Sequence, residues 1–299
     1  MAKLRSNHRS GKGSNSGGMI TKVGIFGGLL AALYFVFNLF TGNVSSEPQE
    51  EDYVAKTEYY LPTSNGTIIQ HKYYTLSYSE EHEQAEWVAY RLTREELKKK
   101  WVERRDEFRP DPKVRTGSAT PDDYYRSGYN RGHLVPAADR MFSDEAMLET
   151  FLMSNISPQS GNFNKGIWRE LEELTRSWAK RFKELYVISG PVLSVDPKSR
   201  IGDNEVSVPQ AYFKVLLDFS EPELKAIAFV IPNQVSFDPL YEFAASIDQV
   251  ETLTGFDFFS ELMDDELEEE LESEFNIDLW EFSKKKYDLR INKWNKQED

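Results

Sequence analysis

A chain of 299 residues with 39% hydrophobic and 13% aromatic content has enough apolar side chain for one large folded domain or two smaller ones. The absence of cysteine excludes disulfide frameworks and thiolate zinc centres, so any metal must be held by oxygen or nitrogen, as hard cations such as magnesium are. A net charge of −14 argues against indiscriminate wrapping of nucleic acid, which needs basic surface, yet Glu86 to Lys183 holds 19 basic against 16 acidic residues while Glu261 to Asp278 holds 10 acidic and none basic.

Residues 1–18 are rich in Lys, Arg, Ser and Gly and read as a basic cytoplasmic N-terminus. Residues 19–40 contain the apolar run Val23 to Phe40, broken only by glycines, Tyr34 and Asn38. A membrane-spanning helix needs about 20 mostly apolar residues, and the basic flank stays in the cytoplasm. The run therefore predicts a transmembrane anchor that places the rest of the chain on the non-cytoplasmic side, in a bacterial periplasm. A cleaved signal peptide with secretion is the competing reading, although Val44-Ser45-Ser46 is a mediocre cleavage site. An organellar inner membrane has the same polarity. Residues 41–57 are polar and acidic and read as a linker.

A domain over 58–260 follows. Lys72 to Ser79 and Glu86 to Thr93 carry the Tyr, Val and Thr of paired strands, and Arg94 to Arg109 reads as a short helix followed by a surface loop. Tyr129 to Pro136 and Ser154 to Gln159 are expected to be loops, with a helix over Ala137 to Asn155 between them, capped by Ser143 or Asp144. Ile167, Leu171, Leu174, Trp178 and Phe182 recur at helical spacing and predict a core-facing helix. Tyr186 to Leu193, Gln210 to Phe219 and Lys225 to Ile231 read as strands of a central sheet. Ser246 to Thr254 is predicted helical with Gly255 as its stop. Residues 261–299 form an acidic helical extension that ends in a charged tail from Lys284.

Tyr129 to Pro136 packs three chemically useful residues together. Arg131 offers a fork of donors that matches phosphate, His133 can take a proton near neutral pH, and Gly132 permits a backbone that a bulkier residue would forbid. The ordinary alternative is a buried structural histidine. Four-residue steps along the following helix place Asn164, Trp168, Glu172 and Arg176 on one stripe beside the core face. A solvated helix flank with an i,i+4 pair between Glu172 and Arg176 is the alternative there.

Four segments in order carry a resemblance: Trp87-Val88-Ala89-Tyr90-Arg91, Asn130 to Asp139 (Asn-Arg-Gly-His-Leu-Val-Pro-Ala-Ala-Asp), Ser154 to Gln159 (Ser-Asn-Ile-Ser-Pro-Gln), and Phe163 to Glu172 (Phe-Asn-Lys-Gly-Ile-Trp-Arg-Glu-Leu-Glu). Together they resemble the DNA/RNA non-specific endonuclease family, the ββα-metal group that includes endonuclease G and sugar-nonspecific bacterial nucleases. The resemblance implies an α+β, ββα-metal (His-Me finger) fold with a central antiparallel sheet flanked by helices. It implies His133 as general base, Asn164 as the one direct protein ligand of Mg2+ (or Mn2+), and Glu172 as a holder of metal-bound water. Arg91, Arg131 and Arg176 are implied to contact phosphate, Asn155 to support the site, and a homodimer is common in the family. The family usually has aspartate where this chain has Asn130.

The residues account for that chemistry in their own right. Phosphodiester hydrolysis needs a nucleophile made from water, charge relief on phosphorus and help for the leaving oxygen. A histidine base and a hard cation supply these, and nothing in the set reads a base edge, so the expected substrates are DNA and RNA without sequence preference; that the products carry 5'-phosphate ends is what the resemblance implies. Other readings are a phosphodiesterase acting on a different diester, a tethered nucleic-acid-binding module that has lost catalysis, and a structural surface protein.

Overall fold

A computed structural model describes residues 60–296 of the chain. The basic start, the apolar run and the linker over 1–57 therefore lie outside the described residues, and among those described no helix is long and apolar enough to cross a membrane.

Seven strands form one antiparallel sheet in the order β1-β2-β3-β6-β9-β10-β11. They are β1 (Thr67–Gln70), β2 (Thr75–Ser79), β3 (Gln84–Thr93), β6 (Glu184–Pro191), β9 (Ala211–Asp218), β10 (Lys225–Pro232) and β11 (Ala244–Ala245). Two small hairpins lie outside it: β4 (Asn130–His133) with β5 (Ile156–Gln159), and β7 (Arg200–Ile201) with β8 (Val206–Ser207). The helices are α1 (Arg94–Lys98), α2 (Asp144–Glu149), α3 (Arg169–Phe182), α4 (Ile247–Thr254), α5 (Asp265–Ser273) and α6 (Lys284–Asn292). The fold is α+β with a central antiparallel sheet, as expected, and the predicted strands lie within a few residues of the observed ones.

Both faces of the sheet are buried, and strand alternation sorts the side chains between two cores. Val88, Tyr90, Leu92, Val187, Leu216 and Phe229 share one core with Leu171, Leu174 and Trp178 of α3. Trp87, Ala89, Ile188, Val215, Leu217 and Ala228 share the other with Ile247 and Val250 of α4 and Leu271 of α5. Each large apolar side chain fully withdrawn from water in these layers contributes about 1.5–3 kcal/mol. The candidate site lies on the α3 face, and α4 and α5 lie on the other.

Three expectations are corrected. The helix expected over 137–155 is only α2, capped by Ser143 Oγ accepting from Ala146 N at 3.1 Å and flanked by 3₁₀ turns at 137–139 and 153–155. The chain leaves the helical region at Arg140 (φ −120°, ψ 10°), whose buried guanidinium donates to the carbonyls of Tyr73 and Arg91 at 3.0 and 2.9 Å. The segments expected as loops around Arg131 and Pro158 are paired strands; Pro158 is tolerated because this hairpin has only two strands and no second ladder to serve. The expected charged tail is α6, anchored by a buried pair of Arg290 Nε with Glu170 Oε2 at 2.6 Å. Between α5 and α6 the chain passes from the second core to the first, where Trp280 is buried edge-on against Trp178 at 5.2 Å.

Candidate active site

The β4–β5 hairpin presents the catalytic candidates. Asn130 pairs with Gln159 and His133 with Ile156, and a Cβ on Gly132 would overlap the Gln159 side chain. The need for glycine here is thus close packing; no left-handed backbone is involved. Asn155 is fully buried and ties the turn after the hairpin: its Oδ1 accepts from Val135 N at 2.8 Å, and its Nδ2 donates to Val135 O at 3.0 Å and Thr150 O at 2.8 Å. Ser189 Oγ donates to Leu134 O at 2.9 Å and fastens the same turn to the sheet.

The His133 ring packs edge-on against Phe151 at 4.8 Å and near Phe108 at 5.5 Å, and its Nε2 is buried without a hydrogen-bond partner. Burial, helped by the neighbouring Arg104 and Arg131 guanidiniums against the pull of Asp106, lowers its pKa to about 3. The imidazole is therefore neutral at any ordinary pH and can accept a proton.

Asn164 sits in a π-helical turn, residues 163–168, with a break at Gly166 where the chain enters α3. Such turns accumulate at functional sites because they re-aim a side chain. The stripe expected from four-residue steps is interrupted here: Trp168 turns into the core between Phe163 at 5.3 Å and Tyr212 at 5.7 Å. Asn164 Nδ2 donates to Asn130 Oδ1 at 3.4 Å, a long bond that leaves the Asn164 carbonyl oxygen for a cation.

Glu172 lies one turn into α3. Burial raises its pKa, opposed by the positive charges of Arg176 and Lys214. Lys214, on β9, is buried with its Nζ over the Trp168 ring at 4.9 Å and no hydrogen-bond partner, and burial lowers its pKa. Arg176 does not make the i,i+4 hydrogen-bonded pair with Glu172 that the solvated-flank alternative supposes. Its Nη1 donates instead to the buried Asp139 at 2.8 Å, and Asp139 also accepts from Tyr90 Oη at 2.8 Å.

His133, Arg131, Asn164, Glu172 and Arg176 meet on one open cleft of about 650 Å³. Arg104, Lys165, Arg169, Lys180 and Lys286 join them, so seven basic side chains line the cleft against Glu172 and Glu173. The cleft is positive in a chain whose total is strongly negative. Arg131 stacks over Phe108 at 4.2 Å and Arg169 over Trp294 at 4.1 Å. Arg104 and Lys286 were not singled out from sequence; they sit in runs rich in like residues, where nothing local marks one lysine or arginine as facing a cleft.

Arg91 is not brought to the site. It alternates with Trp87 and Ala89 onto the opposite face of the sheet, pairs with Glu184 on β6, and lies 5.8 Å from the Tyr186 ring centre. The donor set suits a hard cation that keeps most of its waters: an amide oxygen from Asn164 and a half-buried carboxylate from Glu172.

A family model described as DNA/RNA non-specific endonuclease matches residues 55–265. The chain belongs to that family. Within this endonuclease family it is 36% identical over 230 residues to the mitochondrial nuclease EXOG of Xenopus laevis, covering 72% of this chain and 64% of the relative. It is 34% identical over 203 residues to human mitochondrial endonuclease G, covering 64% of this chain and 68% of the relative. The chain thus spans just under two thirds of the length of the Xenopus relative. Among solved structures, the crystal structure of the EndoG/EndoGI complex matches with a TM-score of 0.66 and 30% identity, over 73% of this chain and 95% of that one. The family match ends at 265, so α5 and α6 lie beyond it.

Proposed function

We propose that this member of the endonuclease family hydrolyses phosphodiester bonds of DNA and RNA without reading sequence, uses Mg2+ (or Mn2+), and leaves 5'-phosphate ends. The observation that carries the reading is a neutral histidine, an open amide oxygen and a half-buried carboxylate meeting in a cleft walled by arginine and lysine.

His133 takes a proton from the water that attacks phosphorus, a role for which a histidine must be unprotonated beforehand. Arg131 and Arg176 hold phosphate oxygens; Asp139 fixes the direction of Arg176, and the stack on Phe108 fixes that of Arg131. Asn164 would hold the cation directly and Glu172 would hold it through water; the cation would supply charge relief at the phosphate and at the departing 3' oxygen. Asn155 acts through the backbone it ties down, keeping His133 at the end of the hairpin. Asn130, an amide where the family usually has a carboxylate, aims Asn164 with its own oxygen. A second groove of about 700 Å³ shares Arg131, Asn164 and Lys165 with the cleft and adds Phe108, Tyr125 and Arg126, a combination that lets a single strand lie along the protein by stacking and charge. None of these groups is set to read a base edge.

The apolar run from Val23 to Phe40 and its basic flank support a membrane tether with the nuclease on the non-cytoplasmic side, as in a periplasm. Family habit supports a homodimer. Carbonate-resistant membrane association and light scattering of the soluble part test these two points; a mature N-terminus near Ser45 or a monomer overturns them in turn.

Supercoiled plasmid and total RNA incubated with the protein, with and without EDTA, test the activity. Loss of closed circles and of RNA only when divalent metal is present is the expected result. Activity that survives EDTA, or none on either polymer, overturns the proposal.

A further inference from the structure

A second cluster of metal-ligand chemistry lies on the sheet face away from the cleft. Asp248 and Glu251 stand three residues apart on α4 and so share one side of that helix. Glu272 reaches them from α5, and ligand oxygens of the three carboxylates lie within 4.8 Å of one another. A calcium ion takes oxygen ligands at about 2.3–2.6 Å, so one ion can bridge oxygens that far apart.

Glu272 supplies the independent sign that the cluster takes a ligand. The residue is 4% exposed, and its Oε1 is buried without any hydrogen-bond partner. An unpaired carboxylate is costly to bury, and proteins bury one chiefly when it is neutralised or coordinates a metal. The neighbours do not neutralise it: beyond burial itself, the charges acting on Glu272 are the carboxylates of Glu251, Glu268, Asp248 and Asp257.

The surroundings complete the cage. Glu251 Oε1 accepts from Phe258 N at 2.8 Å, which pins that side chain, and Asp248 is partly exposed, which gives an ion a way in from solvent. The apolar floor is the second core, with Ile247, Val250 and Leu271 beneath the carboxylates. Glu268 and Glu272 lie beyond residue 265, where the family match ends, so the site is built partly from this chain's own extension.

We infer that Asp248, Glu251 and Glu272 form a calcium site that fastens the acidic helix α5 to α4. Three carboxylates with water filling the remaining positions suit calcium, which accepts irregular oxygen shells, better than magnesium, which demands a near-ideal octahedron at about 2.0–2.1 Å. The site is separate from the catalytic reading and would stand if that reading failed.

Calorimetric titration of the full chain with CaCl2 in magnesium-free buffer, paired with thermal unfolding in CaCl2 or EDTA, tests it. The Asn164→Ala chain removes a proposed ligand in the cleft and leaves the second site to be read alone. Calcium should bind this variant and raise its Tm, since a ligand held only by the folded state stabilises it by mass action. Adding Glu272→Gln should weaken calcium binding at least tenfold and remove the rise in Tm. Asp248→Asn, at a partly exposed position, should weaken it as well and covers the case in which the buried change alters the fold. Calcium binding and Tm rise unchanged in Asp248→Asn, or no calcium binding to the Asn164→Ala chain, would overturn the inference.

Discussion

Arg176 and Tyr90 donate to the two oxygens of one buried carboxylate, Asp139, each at 2.8 Å. Asp139 comes from the 3₁₀ turn between β4 and β5, Arg176 from α3 and Tyr90 from the sheet, so a single side chain locks three elements around the cleft. Asp139→Asn would leave the arginine charge buried without its counter-charge, which costs about 3–5 kcal/mol for a buried pair. Chemical denaturation should show a loss of that order, and the folded fraction should need more substrate for half-maximal rate. A denaturation midpoint within error of the parent would show that the carboxylate does not hold these elements together.

His133→Ala should abolish cleavage while nucleic-acid binding and Tm stay near the parent values, because the base acts in the chemical step. Removal of a general base costs about 10² or more in rate. Gel-shift affinity and turnover measured on the same preparation separate the two effects, and turnover above about a tenth of the parent would remove the role.

Acid titration reads the same residue. The folded-state pKa of His133, about 3, lies below the ordinary histidine value near 6.5. Between those pH values the unfolded chain binds a proton that the folded chain does not, so stability present above pH 6.5 is lost as pH falls toward 3. His133→Ala should lose less stability on acidification from pH 7 to 4.5, by at most about 1.4 kcal/mol per pH unit. In kinetics, kcat/KM of the parent should show no histidine limb near pH 6.5; such a limb would mean that His133 titrates normally.

Arg91→Ala should leave kcat/KM within about twofold of the parent, since the side chain lies across the sheet from the cleft. Its loss should cost stability only on the scale of a partly exposed ion pair, about 0–1 kcal/mol. Arg131→Ala, measured alongside, should lose at least about tenfold in kcat/KM as one charged phosphate contact disappears. A tenfold loss in Arg91→Ala would place that residue at the substrate after all.

Arg290→Ala should destabilise the chain by about 3–5 kcal/mol, because it leaves Glu170 buried and unpaired. It should also raise KM for long DNA more than it lowers kcat, since α6 and the turn after it carry Lys286 at the cleft and Trp294 under Arg169. Equal melting curves for the two proteins would show that the C-terminal helix is not anchored by this pair.

Most of the sheet, the core helix and the meeting of His133, Asn164 and Glu172 in one cleft were legible in the sequence. Strands β3, β6, β9 and β10 are dense in Val, Ile, Tyr and Phe and end at turn residues, and Ile167 to Phe182 repeats at the helical period, so each segment announces its own backbone. The order of the Asn-Arg-Gly-His and Phe-Asn-Lys-Gly segments likewise sufficed to expect His133, Asn164 and Glu172 together. The hairpin strands were not legible, because Asn130 to His133 has no strand pattern of its own and is extended only through its ladder with Ile156 to Gln159. The face taken by Arg91 was not legible either. A sheet buried on both sides shows no polar and apolar alternation to say which parity meets the cleft. Only the tertiary structure could decide that Arg176 pairs with Asp139 and that Arg290 pairs with Glu170. Each choice joins residues 37 and 120 positions apart, and a charged side chain far along the chain gives no local sign of the one carboxylate it will be buried against.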